Sequence, residues 1–226
     1  MALHPNGVHH LAISTRDIKA QIEFFTDVLG AELKALYWMH GVENTFHGFI
    51  ELNESSYIAF VQHPDNSDRH ELGVTHAGTA AGPLPGGLMQ HVAFSVDTLD
   101  DLCALRDRIR SRGVPVMGPI DHGMCQSMYF AGPEGLCLEV ATGSDIDERA
   151  WIDPEVQALA GISDAELKGY LAPSEYTRPA EAVPQPAYDP AKPHLEYPPA
   201  VYQRVLATPD EVFWHSVENR PPVEIA

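Results

Sequence analysis

HHLAIST at residues 9–15 returns as QHVAFSV at residues 90–96. The stretches downstream of the two copies match as well. A capped amphipathic stretch (17–29, then 97–109) leads into strand-like runs that end in SSYIAFVQ at 55–62 and GLCLEVAT at 135–142. One unit, read as β-α-β-β-β, therefore occurs twice. Duplication is taken before any single element because two copies can build one shared site at their junction. The fold class is expected to be α+β, with paired βαβββ modules at 6–62 and 88–143. The linker between them, 63–87, loses periodicity and ends in AGTAAGPLPGG. Segment 1–143 thus reads as one domain and 144–226 as a C-terminal extension.

Composition narrows the function classes. A chain of 226 residues with 44% hydrophobic residues is long enough for one sizeable core or two small ones. The formal net charge is −18, with only 14 Lys and Arg residues, which argues against nucleic acid or an anionic membrane as a partner. A small molecule fits better. No N-terminal apolar run reads as a signal peptide, and no window approaches the roughly 18–20 apolar residues that span a bilayer. A cytoplasmic protein is expected. Cys103, Cys125 and Cys137 form an odd set without CxxC spacing, so neither a disulfide framework nor a cysteine zinc site is indicated. Cys103 and Cys137 are read as core-packing residues on apolar faces.

Beyond the second module eleven of the nineteen prolines lie between Pro173 and Pro222, too many for a continuous sheet or a long helix. Two short helices are predicted there. Ser163 with Glu166 makes a capping box, and Thr208-Pro209-Asp210-Glu211 combines an N-cap, a first-turn proline and a capping glutamate. Tyr197, Tyr202, Phe213 and Trp214 give the extension apolar groups to bury, on its own domain or on a neighbouring subunit.

Strand alternation carries the chemistry. His10, Ala12 and Ser14 share one face and Leu11 and Ile13 the other; His91, Ala93 and Ser95 stand opposite Val92 and Phe94 in the same way. A lone strand histidine is most often a satisfied structural residue. Two at one repeat position are less easily dismissed. Glu139, between Leu138 and Val140, puts a carboxylate into an apolar strand, which costs several kcal/mol unless a cation or metal answers it.

With these residues in place the chain resembles the vicinal oxygen chelate superfamily over roughly residues 6–143. That resemblance implies a cupped open sheet around one divalent metal, with ligands from the first and last strand of each module: His10, His91, Glu139 and position 59. Ala59 cannot be a ligand. Two histidines and one carboxylate with open coordination positions suit Fe(II) and dioxygen chemistry, and Mn(II), Zn(II) or Ni(II) are the alternatives. The stretch from Ile120 to Glu139 is similar to the signature of type I extradiol ring-cleaving dioxygenases, with His122, Met128, Tyr129, Pro133, Gly135 and Glu139 at matching positions and Gly132 departing from it.

The resemblance implies that Tyr129 hydrogen-bonds a substrate oxygen and that His122 moves or stabilises a proton. It also implies a general acid/base histidine where this chain has Ser56; His47, His63 and His76 are the candidates to replace it. The expected function is an Fe(II)-dependent extradiol-type dioxygenase in aromatic compound catabolism. It would act on a catechol-like substrate with dioxygen, as a homodimer or higher homo-oligomer. The alternatives are another metal-dependent superfamily activity (lyase, isomerase or epimerase) or a small-molecule binding protein. Metal content and a catechol panel separate the three.

Overall fold

A computed structural model describes residues 3–144 and 146–224; Met1 and Ala226, the outer limits of the two segments drawn from the sequence, lie outside them. The duplicated unit forms two four-stranded mixed sheets. The first contains β1 (His10–Ser14), β2 (Glu32–Trp38), β3 (Phe46–Asn53) and β4 (Ser56–Gln62) in the order β1-β4-β3-β2. The second repeats it with β5 (Val92–Ser95), β6 (Met117–Asp121), β7 (Gln126–Ala131) and β8 (Cys137–Thr142) in the order β5-β8-β7-β6. In both, the first strand runs parallel to the last. Ala12 stands opposite Ala59 and Ala93 opposite Glu139, so the repeat seen in the sequence holds residue by residue.

Each unit carries one main helix between its first two strands. Helix α1 (Ile18–Glu23) starts where the Asp17 side chain accepts from Ala20 N at 3.0 Å, and it continues through a π-helical turn, Phe24–Val28. Helix α2 (Leu99–Ser111) starts at Thr98, whose hydroxyl accepts from Asp101 N at 3.1 Å. Ile18, Phe25 and Val28 on the first helix and Leu102 and Ile109 on the second are buried. They meet the apolar faces of the sheets: Ile13, Ile50, Ile58 and Phe60 from one, and Phe94, Met128, Leu138 and Val140 from the other. All belong to one core. Phe25 joins its halves, with its ring 5.2 Å from Phe60 and 6.0 Å from Phe94, both edge to face.

Two polar clasps reinforce that junction. The Arg108 guanidinium from α2 donates to Val28 O (3.0 Å), Asp27 O (2.8 Å) and Thr26 O (3.3 Å), the carbonyls left open where the π-turn ends. Gly30 lets it come that close: a Cβ there, at φ +82°, would sit 2.8 Å from Arg108 Cζ. In the other direction Glu134 accepts from Thr15 Oγ1 (2.5 Å), Arg16 N (2.8 Å) and Gln21 Nε2 (2.9 Å). Glu134 sits at φ +54°, an uncommon backbone state for a residue other than glycine, and these three donors hold it there.

The extension forms α3 (Glu148–Trp151), α4 (Pro154–Leu159), α5 (Asp164–Leu171), α6 (Pro199–Ala207) and α7 (Asp210–Trp214). The capping box of Ser163 and Glu166 forms as predicted from the sequence. Thr208 does not cap α7. Its hydroxyl donates back to Arg204 O at 2.7 Å and closes α6, a helix the sequence reading did not include. No described residue from Ile146 onward is buried, Trp214 being 80% exposed. The extension touches the domain at the loops of Gly123 and Gly41: Trp151 ring carbons lie 3.2–3.3 Å from the Cβ position of Gly123, and Val217 Cγ1 lies 3.2 Å from that of Gly41. Among the described residues no helix is long and apolar enough to cross a membrane.

Candidate active site

The pleat sorts each strand into a core face and an outer face, and the candidate residues within strands, His10, Tyr129 and Glu139, fall on the outer ones. On the second sheet Glu139 from β8 is only 6% exposed and stands level with Ala93 on one side and Tyr129 on the other. Its Oε2 lies 2.9 Å from His91 Nε2, the residue just ahead of β5. The carboxylate demanded a partner, and His91 is that partner. The other ring nitrogen of His91 is taken by the Gln90 side-chain oxygen, which fixes the ring's orientation.

Tyr129 from β7 extends the group. Its hydroxyl is 3.1 Å from His122 Nε2, the loop histidine after β6. Burial, helped by the negative charge of Glu139, pushes the Tyr129 phenol above its ordinary range. It therefore stays protonated near neutrality and can donate. Asp121 shapes the loop by accepting from Gly123 N at 2.8 Å, and Trp151 packs on the same glycine. Cys137 also faces this side, where burial and then Glu139 raise its thiol. The sequence reading placed it on the core face; alternation with Leu138 and Val140 puts it opposite them.

The first sheet presents the equivalent face with different chemistry. His10 is exposed, its Nδ1 2.9 Å from His9 Nδ1 and its ring 5.5 Å from Phe49. Phe49 and the fully buried Ala59 occupy the positions that Tyr129 and Glu139 hold in the second sheet. His47 lies beside them, 9% exposed, its Nδ1 3.3 Å from Tyr37 Oη and its Nε2 buried with no partner among the described residues. Burial, followed by the charges of His10 and His40, lowers its pKa and keeps it neutral. Of the three histidines considered as substitutes at the Ser56 position, only His47 is on this face. His63 sits in a loop beside Asp65, and His76 stacks on His70 at 4.2 Å beside Gly135. Tyr37 was missed by sequence reasoning, although its place level with His47 follows from the hairpin register.

The structure thus brings together His91, Glu139, Tyr129 and His122 through direct contacts. Neither a hydrogen bond nor a ring contact joins His10 to His91 or Glu139. Among the described residues no three His, Cys, Asp or Glu side chains are arranged to hold a metal ion. As donors to a divalent metal, one chain therefore offers a pair, an imidazole and a buried carboxylate. A cavity of about 760 Å3 opens between β1 and the segment ahead of β5, lined by Arg16, Gln21, His76 and Glu134 among others. None of the five candidate residues borders it.

Comparison with known proteins agrees with this architecture. The family profile described as Glyoxalase/Bleomycin resistance protein/Dioxygenase superfamily matches residues 7–140. The chain is 28% identical over 133 residues to the Biphenyl-2,3-diol 1,2-dioxygenase 2 of Rhodococcus globerulus, covering 58% of this chain and 60% of that protein. It therefore spans about three fifths of that relative's length. It is also 28% identical over 156 residues to the Metallothiol transferase FosB of Bacillus licheniformis, covering 68% of this chain and 86% of that protein. Among solved structures, the glyoxylase/bleomycin resistance protein/dioxygenase domain from Frankia sp. EAN1pec aligns with a TM-score of 0.50 at 17% identity, over 62% of this chain and 99% of that one. At that identity the likeness is one of fold.

Proposed function

The chain belongs to the Glyoxalase/Bleomycin resistance protein/Dioxygenase superfamily, and on that premise we propose that it is an Fe(II)-dependent extradiol-type dioxygenase acting on a catechol-like compound. The observation that carries this reading is the hydrogen-bonded Tyr129–His122 pair on the face that holds His91 and Glu139. A site that only binds metal has no use for a protonated phenol and a titratable imidazole beside its carboxylate. Position 59 supports the same reading, since an alanine there leaves coordination open for two substrate oxygens and dioxygen.

His91 and Glu139 would hold the metal in this unit, with His10 as the third donor. Bound Fe(II) supplies Lewis acidity and an electron route between the aromatic diol and dioxygen. Both oxygen atoms enter the opened product, so no further reductant is needed. The chain's own residues handle position and protons. Tyr129 donates to a substrate oxygen, because its raised pKa keeps the hydroxyl hydrogen in place. His122 accepts or returns the proton that the diol gives up on binding. We extend the proposal to residues 144–226, of which Trp151 is seated on Gly123, as a cover for the site from its own or a neighbouring subunit.

Anaerobic loading with Fe(II) followed by a catechol panel in air tests the reading. A yellow ring-fission product with one dioxygen consumed per turnover is the expected result; metal uptake without oxygen consumption across the panel overturns it. One observation favours a second reading, a metal-dependent transferase or lyase: the chain spans 86% of the thiol transferase but 60% of the diol dioxygenase. Turnover that is metal-dependent yet unaffected by removing oxygen would establish it.

A further inference from the structure

We propose that Trp151 is a positioning residue for the Tyr129–His122 pair, holding the loop that carries His122 within reach of the phenol. This role rests on the reading that the pair handles protons. His122 opens the tip of the β6–β7 hairpin, where its N–H donates to Cys125 O at 2.9 Å and Gly123 N donates to Asp121 Oδ1 at 2.8 Å. Those local bonds close the turn without fixing where it lies. His122 and Gly123 are both exposed, and neither belongs to the core that anchors the flanking strands. A tip with so little packing of its own moves unless something outside the hairpin covers it. The 3.1 Å bond between His122 Nε2 and the Tyr129 hydroxyl tolerates little further separation.

The chain beyond β8 supplies that cover at both ends of the tip. Gly143 has Cys125 Cα and Gln126 Oε1 at 3.6 Å and Met124 O at 3.7 Å from its Cβ position. Trp151 then reaches Gly123, and its two indole carbons are the only described atoms within 4 Å of that Cβ position apart from the chain neighbours of Gly123. Helix α3 aims the indole. The Asp147 carboxylate accepts from Arg149 N at 3.0 Å and caps the single turn that ends on Trp151, whose own N–H donates to Asp147 O at 3.0 Å.

The first unit repeats the arrangement. Val217 Cγ1 is the only described atom within 4 Å of the Cβ position of Gly41, again apart from chain neighbours, and Gly41 lies in the β2–β3 loop that corresponds to the β6–β7 tip. The extension therefore rests on the equivalent hairpin tip of each unit. At Gly123 that contact adjoins a residue with a chemical role, where a displacement of about 1 Å can cost on the order of 10²-fold in rate.

Backbone amide exchange tests the role in full-length protein without metal or substrate. Trp151→Ala is expected to speed exchange at the His122 and Gly123 amides about tenfold, with the β8 amides unchanged. Unaltered rates at the tip, or acceleration spread equally through β8, overturn the proposal, since the indole would then be idle or a general stability contact. Kinetics of the iron form give a second readout. Trp151→Ala should lower kcat by about 10- to 100-fold. In a His122→Ala background the same change should move kcat by less than about twofold, because effects that pass through one group do not add. Full additivity in that cycle would give Trp151 a part independent of His122 and overturn the proposal. Faster exchange at the tip in a protein that cleaves no catechol would sink the dioxygenase reading and leave the hold on the loop intact.

Discussion

Glu139 Oε2 lies 2.9 Å from His91 Nε2 across the β5–β8 pair, with the carboxylate side chain 8% exposed and the imidazole 32% exposed. A carboxylate so enclosed has His91 as its ion-pair partner and Tyr129 beside it. Removing the partner of a buried charge costs about 3–5 kcal/mol, and partial exposure of His91 reduces this. In metal-free protein, His91→Ala is expected to lose about 2 kcal/mol in urea unfolding at neutral pH. A loss under a few tenths would show that Glu139 is answered by something else.

The phenol–imidazole pair has a different signature. Tyr129→Phe and His122→Ala are each expected to keep bound metal and to lose turnover by about 10²–10⁴, the usual contribution of a proton-transfer group. Metal content and kcat at saturating substrate check both. A drop of less than threefold in both variants would remove them from the chemistry.

Glu134 gives a pH-dependent outcome. Burial alone would raise its pKa, but the donors Thr15, Arg16 N and Gln21 outweigh it and hold the group below its ordinary 4.5. A depressed carboxylate stabilises the fold fully above its unfolded pKa and ceases to do so as the pH falls through the folded one. Because Glu134 is itself exposed, solvent screening limits the loss: Glu134→Gln should cost about 0.5–1 kcal/mol at pH 7, and its difference from wild type should shrink below about pH 4.5. A gap independent of pH would separate the stability effect from the charge.

Ala59 has no exposure and is held between Ala12 and Phe49 in the sheet. Ala59→Glu would force a carboxylate into that slot with only the exposed His10, the counterpart of His91, to answer it. Stability is expected to fall by several kcal/mol, on the order of an unpaired buried charge, and thermal unfolding reads the loss. An unchanged melting temperature would mean that the slot opens to solvent or metal.

The second unit was far more legible in the sequence than the first. Glu139 between two apolar residues announced a buried charge, and His91 could be named because the repeat located it. The alternation of HLAIS and HVAFS gave the correct faces, since strand geometry is local. The contacts between the units did not show. Glu134 read as the middle of an ordinary turn, because the three donors that seize it lie more than 110 residues away in the chain. Spacing placed His10 with His91 by symmetry, whereas tertiary clasps decide whether symmetric positions meet. Cys137 was misassigned through its apolar neighbours although its own parity faced it outward, and Thr208 looked like a cap because Pro209, Asp210 and Glu211 follow it, whereas its hydroxyl turns back to Arg204 O.

The ring of Phe25, lodged between Phe60 and Phe94, ties the thermodynamic fate of one repeat to the other. Neither half can melt without stripping the other of part of its interior, so the two copies unfold as a single cooperative unit. Calorimetry should record one endotherm for residues 3–144 whose van't Hoff and calorimetric enthalpies coincide. Phe25→Ala should divide it into two.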